Sequence, residues 1–206
     1  MPQHIEILEY CVIKHFDDVV QYERELEVYE SALPGVPQLL DHGRAHDLYL
    51  KIERIHGLPY LDLPHFDAAA LGKAIAAFHF ATYRGGNCLC HIDNQPKNIL
   101  LSDHDYYFID FSDSYRTAPE YDLSHLLLFW AEEFESEVFC RMVSSFLSAY
   151  QLKITLDDKL WESAFADSVS RFDLRRQKHK THLGKSRNQD LNRRFLSKLE
   201  FRRLKP

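Results

Sequence analysis

Residues 90–101 read CHIDNQPKNILL, and residues 108–114 read FIDFSDS. These stretches place His91, Asp93, Asn98 and Asp110 close together among apolar residues. The apolar runs ILL and YYFI flank the polar sequence SDHD, which has the composition of a tight turn, so we predict a β-hairpin. Because the strands of a hairpin run antiparallel, we expect Asn98 and Asp110 to lie close together at its open end, with Asp93 on the loop that leads in.

The residue types at these three positions suit phosphoryl transfer. A carboxylate and a carboxamide oxygen can bind a hard cation such as Mg²⁺, and a separate loop Asp can accept the proton of an alcohol. Metal binding and positioning supply most of the catalysis in phosphoryl transfer. The pattern of Asn98, Asp110 and Asp93 therefore indicates one site with a metal and a base.

The first 56 residues predict a small unit of strands and one helix. The opening sequence IEILEYCVIKHF is rich in Ile, Val and aromatic residues, which is typical of strands. The sequence FDDVVQYERELEVYESAL spaces apolar residues among charges after a possible N-cap at Asp17 or Asp18, which indicates an amphipathic helix. Two short strands are expected next, separated by a turn that contains Gly43.

The remaining chain, residues 57–206, is expected to be mostly helical. The sequence DAAALGKAIAAFHFATY predicts a long core helix with Asp67 as its N-cap. Further helices are expected at YDLSHLLLFWAEEF, at SEVFCRMVSSFLSAY, around Trp161 and in the basic C-terminal segment. The pattern therefore predicts an α+β protein with a β-rich part at residues 1–56 and a helical part at residues 57–206.

The two opening stretches resemble motifs of the protein-kinase-like superfamily. HIDNQPKN is similar to its catalytic loop, His-x-Asp-x-x-x-x-Asn, and IDFS is similar to its metal-binding Asp-Phe-Gly motif. This resemblance implies a two-lobe kinase-like fold with a reduced N-lobe. It also implies that Asp93 orients the acceptor hydroxyl, that Asn98 and Asp110 bind the metal ions, and that His91 is a structural residue that supports the turn at Asp110.

The resemblance extends to the first 56 residues. The sequence VIK looks like the kinase strand whose Lys binds the α- and β-phosphates of ATP, which assigns this role to Lys14. The helix that follows offers Glu25 as the partner of that Lys, with Glu27 as the second choice. The strand DLYLKIERIHG resembles the one that enters the interlobe hinge, so the resemblance places adenine at Glu53 to Ile55.

The chain also departs from the kinase pattern. Residues 1–34 contain no glycine, so the Gly-rich loop that covers the phosphates of ATP is missing there. Gln95 stands where many protein kinases have a Lys, and Ser112 replaces the Gly of Asp-Phe-Gly. Ala118-Pro119-Glu120 follows Asp110 too closely for a long peptide-docking loop. This brevity resembles aminoglycoside and choline kinases, lipopolysaccharide-sugar kinases and the small kinase of the KEOPS complex.

Three functions fit these features. The first is a kinase that uses ATP and Mg²⁺ to phosphorylate a hydroxyl group of a small molecule or of a protein Ser or Thr. The second is a pseudokinase that serves as a binding or scaffold module, which the missing glycines favour. The third is an RNA-associated atypical kinase, which the C-terminal charge favours.

Charge is unevenly distributed, although the net charge is only −6. Residues 171–206 carry 13 Lys or Arg against 3 Asp or Glu, whereas residues 1–170 carry 12 against 28. The basic tail fits a surface for RNA or another acidic partner. It also fits a solvated helix that docks on the acidic remainder of the same chain.

The four cysteines and the absence of long apolar runs indicate a cytoplasmic protein. No run approaches the roughly 20 apolar residues of a membrane span, and the N-terminus lacks the pattern of a signal peptide. Cys88 and Cys90 precede His91, but no second pair of ligands at matching spacing completes a metal site. We therefore interpret them as buried strand thiols.

Overall fold

The computed structural model describes residues 4–44, 47–178 and 187–201 of the 206-residue chain. The chain divides into two compact units. The first comprises the described parts of Met1–His65 together with Pro96–Ser114, and the second comprises those of Phe66–Gln95 and Tyr115–Pro206. The predicted division at residue 56 stays a prediction. The segment Pro96–Ser114, which contains the predicted hairpin, belongs to the first unit.

The first unit contains a four-stranded antiparallel sheet with the strand order β1-β2-β4-β3. The strands are β1 (Ile5–Ile7), β2 (Cys11–Phe16), β3 (Leu39–Gly43) and β4 (Leu48–Glu53). Gly43 lies in β3 opposite Tyr49, so its predicted place in the turn is wrong. The Tyr49 ring explains the need for glycine, because a Cβ at this position would lie 2.4 Å from it.

Helix α1 (Val19–Glu30) packs on β2 and β4 of this sheet. Asp18 is the N-cap, since its side chain accepts hydrogen bonds from the backbone N–H groups of Val20 and Gln21. Tyr22, Leu26 and Tyr29 recur at helical spacing and are buried. Burial of this apolar stripe determines which face of α1 turns toward the sheet.

The central hairpin has the predicted position. It consists of β7 (Ile99–Ser102) and β8 (Asp105–Phe108), and β5 (Leu58–Pro59) pairs with β7. Asp103 and His104 form the turn with positive φ angles of 48° and 74°, as a two-residue hairpin loop with two left-handed residues requires.

The second unit is mainly helical. Its helices are α2 (Ala68–Thr82), α3 (Pro119–Glu133), α4 (Ser136–Tyr150), α5 (Asp158–Lys178) and α6 (Arg187–Leu196). Asp67 caps α2 as predicted. Gly72 lets α2 approach α4 closely, because a Cβ there would lie 2.4 Å from the carbonyl oxygen of Phe146. Two short strands, β6 (Cys88–Cys90) and β9 (Tyr115–Thr117), form a separate antiparallel pair.

The predicted α+β fold class is confirmed: the chain has a β-rich N-terminal region and a helical C-terminal region. The buried aromatic side chains of the second unit, among them Trp130, Phe146 and Tyr150, form much of its core. Within the described ranges, we find no helix with the length and apolarity needed to cross a membrane.

Candidate active site

A buried lysine connects two carboxylates in the first unit. Lys14 of β2 donates hydrogen bonds of 2.7 Å to each carboxylate oxygen of Glu25 in α1. Its ammonium group also contacts the Oδ1 atom of Asp110, at 2.9 Å, just after β8. Lys14 is 5% exposed and Glu25 is fully buried. Of the two candidate partners from the sequence, the structure places Glu25 on Lys14, while Glu27 is exposed.

Burial and charge act against each other at Glu25. Removal from water raises the pKa of its carboxyl group to about 7, and the adjacent Lys14 ammonium opposes that rise. A buried carboxylate without this partner would be strongly disfavoured. The buried charges of Lys14 and Glu25 therefore compensate each other.

The hairpin brings Asn98 and Asp110 to its open end, as the sequence predicts. The backbone N–H of Ile109 donates to the carbonyl oxygen of Asn98 at 3.0 Å, so Asp110 follows directly on the paired strands. Asp110 has a φ of 69°, a left-handed conformation that is uncommon outside glycine. Arg24 of α1 donates to the carbonyl oxygen of Ser112 at 2.6 Å and anchors the segment after Asp110, a contact that sequence reasoning missed.

A pocket of about 330 Å³ opens beside this cluster within the first unit. Five residues predicted for the site line it: Lys14, Glu53, Ile55, Asn98 and Asp110. The remaining wall is largely apolar and consists of Ile5, Ile7, Val12, Tyr29, Ile52, Arg54, Leu100 and Ile109. Asn98 and Asp110 supply the amide and carboxylate oxygens that a divalent cation prefers, so they could hold one.

The loop that carries Asp93 belongs to the second unit, where Asp122 of α3 holds it. Asp122 accepts hydrogen bonds from the backbone N–H groups of His91, at 3.1 Å, and Ile92, at 2.7 Å. The side chain of Asn94 donates to the backbone carbonyl of Asp122 at 2.6 Å. The sequence PEYDLSHLL allows two interpretations of Asp122: an N-cap or, by resemblance to small-molecule kinases, a residue that steadies the catalytic loop. The N-cap interpretation is wrong, since Ala118 occupies that position, and the contacts with the loop agree with the other. His91 is buried, and its role as a support for the Asp110 turn stays a prediction.

His79 of α2 completes this anchor, and no sequence motif had indicated it. Its Nε2 atom lies 3.0 Å from Asp122 Oδ2, and its Nδ1 atom lies 2.8 Å from the Tyr150 hydroxyl. Burial alone would raise the pKa of Asp122, but its hydrogen bonds and the charge of His79 outweigh burial and lower it. Asp122 is therefore a buried carboxylate with donors on both oxygens, and it joins α2, α3 and the loop.

The thiols of β6 are buried, as predicted from the sequence. Their sulfur atoms lie 3.5 Å apart. Possible ligand atoms of His79, Cys88 and Cys90 lie within 4.8 Å of one another. Both ring nitrogens of His79 already have hydrogen-bond partners, however, so this cluster is explained as core packing.

The side chain of Asp93 accepts hydrogen bonds from Arg175 and Gln95, both in the second unit. Arg175 of α5 donates from Nη1 to Oδ1 at 2.8 Å, and Gln95 donates from Nε2 to Oδ2 at 2.8 Å. The side chain of Asp93 is 15% exposed, whereas that of Arg175 is 51% exposed. The carboxylate is thus oriented by two donors. Arg175 is 82 residues away in the sequence, which is why sequence reasoning missed it.

A family model matches more than half of the chain. Residues 31–151 match the phosphotransferase enzyme family known as APH. This segment includes the Asp93 loop and the hairpin, and Lys14 and Glu25 precede it. No curated protein matches the chain in sequence.

Solved structures of kinases share the fold. A choline/ethanolamine kinase family protein from Mesorhizobium loti is 14% identical with a TM-score of 0.63, over 99% of this chain and 88% of its own. Amicoumacin kinase hAmiN, in complex with AMP-PNP, Ca²⁺ and Ami, is 13% identical with a TM-score of 0.64, over 98% and 91%. An aminoglycoside phosphotransferase from Streptomyces rimosus, in complex with ADP and streptomycin, is 16% identical with a TM-score of 0.59, over 78% and 90%.

The family match covers more than half of the chain, and the chain shares its fold with these kinase structures. The chain therefore belongs to the phosphotransferase enzyme family and is a kinase-type enzyme.

Proposed function

We propose that this protein transfers the γ-phosphoryl group of ATP to a hydroxyl group of a small molecule, with Mg²⁺ as the metal. The observation that carries the proposal is the contact of Lys14 with both Glu25 and Asp110 at the wall of an apolar pocket. A buried cation next to a metal-binding carboxylate suits the triphosphate of a nucleotide.

Each group of residues that lines the pocket has a part of the nucleotide or its metal to bind. Lys14 binds phosphate oxygens, and Glu25 keeps its ammonium group in position. Asn98 and Asp110 hold Mg²⁺, which neutralises phosphate charge when bound. The apolar side chains of the pocket hold the adenine ring. Backbone groups of the segment from Glu53 to Ile55 form hydrogen bonds with the edge of that ring.

The hairpin of β1 and β2 takes the place of a Gly-rich loop in this proposal. The backbone N–H of Leu8 donates to the carbonyl oxygen of Cys11 at 2.9 Å, which closes a two-residue turn. Ile5, Ile7 and Val12 of these strands line the pocket. Apolar side chains rather than backbone N–H groups thus cover the nucleotide, and binding depends more strongly on Lys14 and the metal.

Asp93 acts on the acceptor. Its carboxylate accepts the proton of the acceptor hydroxyl while the oxygen of that hydroxyl bonds to the γ-phosphorus. The bond between this phosphorus and the β–γ bridging oxygen breaks, and ADP leaves. Ala118 follows Asp110 by only 8 positions, so little chain is available to dock a peptide, which favours a small acceptor over a protein. Dependence on ATP fits a cytoplasmic location.

Nucleotide binding and turnover test the proposal separately. ATP with Mg²⁺ at 100 times its Kd should stabilise the wild-type fold by about 2.7 kcal/mol in a thermal unfolding assay. Asp110→Asn should lose the metal-dependent part of this shift. Asp93→Asn should keep the shift but lose ADP formation in the presence of choline, ethanolamine, streptomycin or glycerol 3-phosphate. Asp105→Asn, on the same hairpin, serves as the control and should resemble the wild type.

Two other functions predict different outcomes. A pseudokinase binds ATP without turnover, so wild type and Asp93→Asn would form ADP equally slowly. An RNA-associated kinase depends on the basic tail, of which residues 179–186 and 202–206 lie outside the described residues. In the described part, Arg193 contacts Asp173 and Glu132 of its own chain, each at 3.0 Å, which favours a docked helix over an RNA surface.

A further inference from the structure

The turn between β1 and β2 is fastened to the segment that follows β4. The guanidinium group of Arg54 donates from Nη1 to the carbonyl oxygen of Leu8 at 2.8 Å, and its backbone N–H donates to that of Tyr10 at 3.1 Å. The Nε2 atom of His56 donates to the carbonyl oxygen of Glu9 at 3.1 Å. Each of three consecutive carbonyl groups in the turn therefore has a donor from this segment, and we call these three contacts the latch.

Strand β1 gains little stability from burial. It is three residues long, lies at the edge of the sheet and pairs with β2. Ile5 and Ile7 are 49% and 65% exposed, although both line the pocket. A short hairpin with exposed side chains is only marginally stable in water. Hydrogen bonds at the turn therefore contribute strongly to the position of β1.

The position of β1 matters for nucleotide binding, because its side chains cover the pocket in the proposed function. A cover of apolar side chains contributes through contact area, which it offers only when it lies over the pocket. A cover that is in place before the nucleotide arrives costs no ordering on binding. A cover that is often displaced weakens binding in proportion to the fraction of molecules in which it is closed.

We propose that Arg54 and His56 are positioning residues of the nucleotide site, and that they hold the β1–β2 hairpin over the pocket before the nucleotide binds. The preformed cover replaces the Gly-rich loop that closes on the phosphates in other kinases. Arg54 acts through its bond to Leu8 and not through a bond to phosphate. This inference rests on the proposed function and adds side-chain roles for two residues of the site.

The affinities for ATP and for uncharged adenosine distinguish a latch from a phosphate contact. We would titrate adenosine, and ATP with Mg²⁺, calorimetrically into wild type, Arg54→Met, Arg54→Lys and the double variant Arg54→Met/His56→Ala. Arg54→Met should raise the Kd of both ligands by the same factor, about fivefold, and the double variant should raise both about tenfold. Arg54→Lys keeps a charged donor and should stay within about twofold of the wild type.

Arg44→Met is the matched control, since Arg44 is an exposed arginine of the first unit that pairs with Glu23 at 3.5 Å. It removes the same charge and leaves the latch intact, so both ligands should bind as they do to the wild type. A loss of affinity in Arg54→Met for ATP alone overturns the inference, because it indicates a contact with phosphate. Equal affinities of Arg54→Met and wild type for both ligands overturn it as well.

Amide hydrogen exchange tests the latch without a nucleotide. The N–H of Leu8 donates to Cys11 within the turn, and it should exchange about fivefold faster in Arg54→Met than in the wild type. The N–H of Tyr22, which donates to Asp18 in α1, should exchange at the same rate in both. Unchanged exchange at Leu8 would refute the latch. Faster exchange at Leu8, together with a wild type that binds neither ATP nor adenosine, would instead contradict the proposed function.

Discussion

At the scale of single residues, Lys14 is a buried charge of the first unit. It contacts three carboxylate oxygens and is almost completely buried. A buried ion pair stabilises little relative to apolar side chains of similar size, but removal of one partner leaves an uncompensated charge. Stability alone therefore does not explain the pair of Lys14 and Glu25, and the proposed function assigns it to phosphate binding.

Lys14→Met should lose ATP binding and lower the free energy of unfolding by about 3–5 kcal/mol, because Glu25 then stays buried without a cation. The double variant Lys14→Met/Glu25→Met should regain most of this stability but not the binding of ATP. Urea denaturation and calorimetric titration of ATP measure the two effects. Lys51→Met, on β4 next to β2, is the control and should keep ATP binding. Recovery of ATP binding in the double variant would contradict the role of Lys14.

At the scale of secondary-structure elements, Asp122 holds α2, α3 and the Asp93 loop together. It accepts hydrogen bonds from two backbone groups of the loop and contacts His79 of α2. Ile92 of this loop has a φ of 66°, a strained conformation for a β-branched residue. The bonds to Asp122 compensate for that strain, so the loop geometry depends on a residue about 30 positions away.

Asp122→Asn should destabilise the protein by about 2–4 kcal/mol, because an amide offers one acceptor oxygen where the carboxylate offers two. ADP formation should fall strongly, since Asp93 loses its support, whereas ATP binding in the first unit should change little. Thermal unfolding and steady-state kinetics separate the two effects. Asp167→Asn, an exposed position on α5, is the control. Normal turnover in Asp122→Asn would show that the loop does not need this anchor.

At the scale of the whole molecule, the two units contain buried groups that respond to acid in opposite directions. Burial raises the pKa of Glu25 in the first unit to about 7, so acidification from pH 7 to 4.5 favours its folded state. Burial lowers the pKa of His125 in the second unit to about 4. Between pH 6.5 and 4, the unfolded chain therefore binds the proton that folded His125 excludes, and stability is lost as the pH falls.

His125→Phe should weaken the acid sensitivity of the second unit, because Phe keeps the ring contacts with Phe129 and Phe172 and cannot bind a proton. Between pH 6.5 and 4, the variant should lose about 2–3 kcal/mol less stability than the wild type. Urea denaturation across this pH range measures the difference. His65→Phe, at an exposed position, is the control and should follow the wild type. Equal acid sensitivity of wild type and His125→Phe would contradict a buried neutral His125.

The basic C-terminal helix α6 is packed into the second unit. Its described helix α6 packs against α3 and α4. Trp161 donates to the carbonyl oxygen of Leu196 at 2.8 Å, and Asn192 donates to that of Ala131 at 3.1 Å. The described part of the basic tail is thus a helix docked on its own chain, which is the second of the two interpretations drawn from the sequence.

The sequence by itself determined the features that depend on neighbouring residues. The central hairpin, the cap at Asp67, the long helices and the kinase-like motifs follow from local patterns, because short-range spacing controls turns, caps and amphipathic faces. The cap of α1 was narrowed to Asp17 or Asp18 in the same way. For the same reason, the approach of Asn98 to Asp110 could be predicted, since one tight turn separates them. Local pattern also sufficed to indicate a phosphotransferase.

Only the tertiary structure decided which distant side chains meet. It selected Glu25 over Glu27 for Lys14, connected Asp122 to the loop of Asp93, and brought Arg175 across 82 residues to the proposed base. Such contacts depend on how helices and strands pack, and a helix register or a long-range ion pair leaves no periodic signal in the sequence. The residue types of the candidate site were therefore readable from the chain, whereas their long-range partners came from packing.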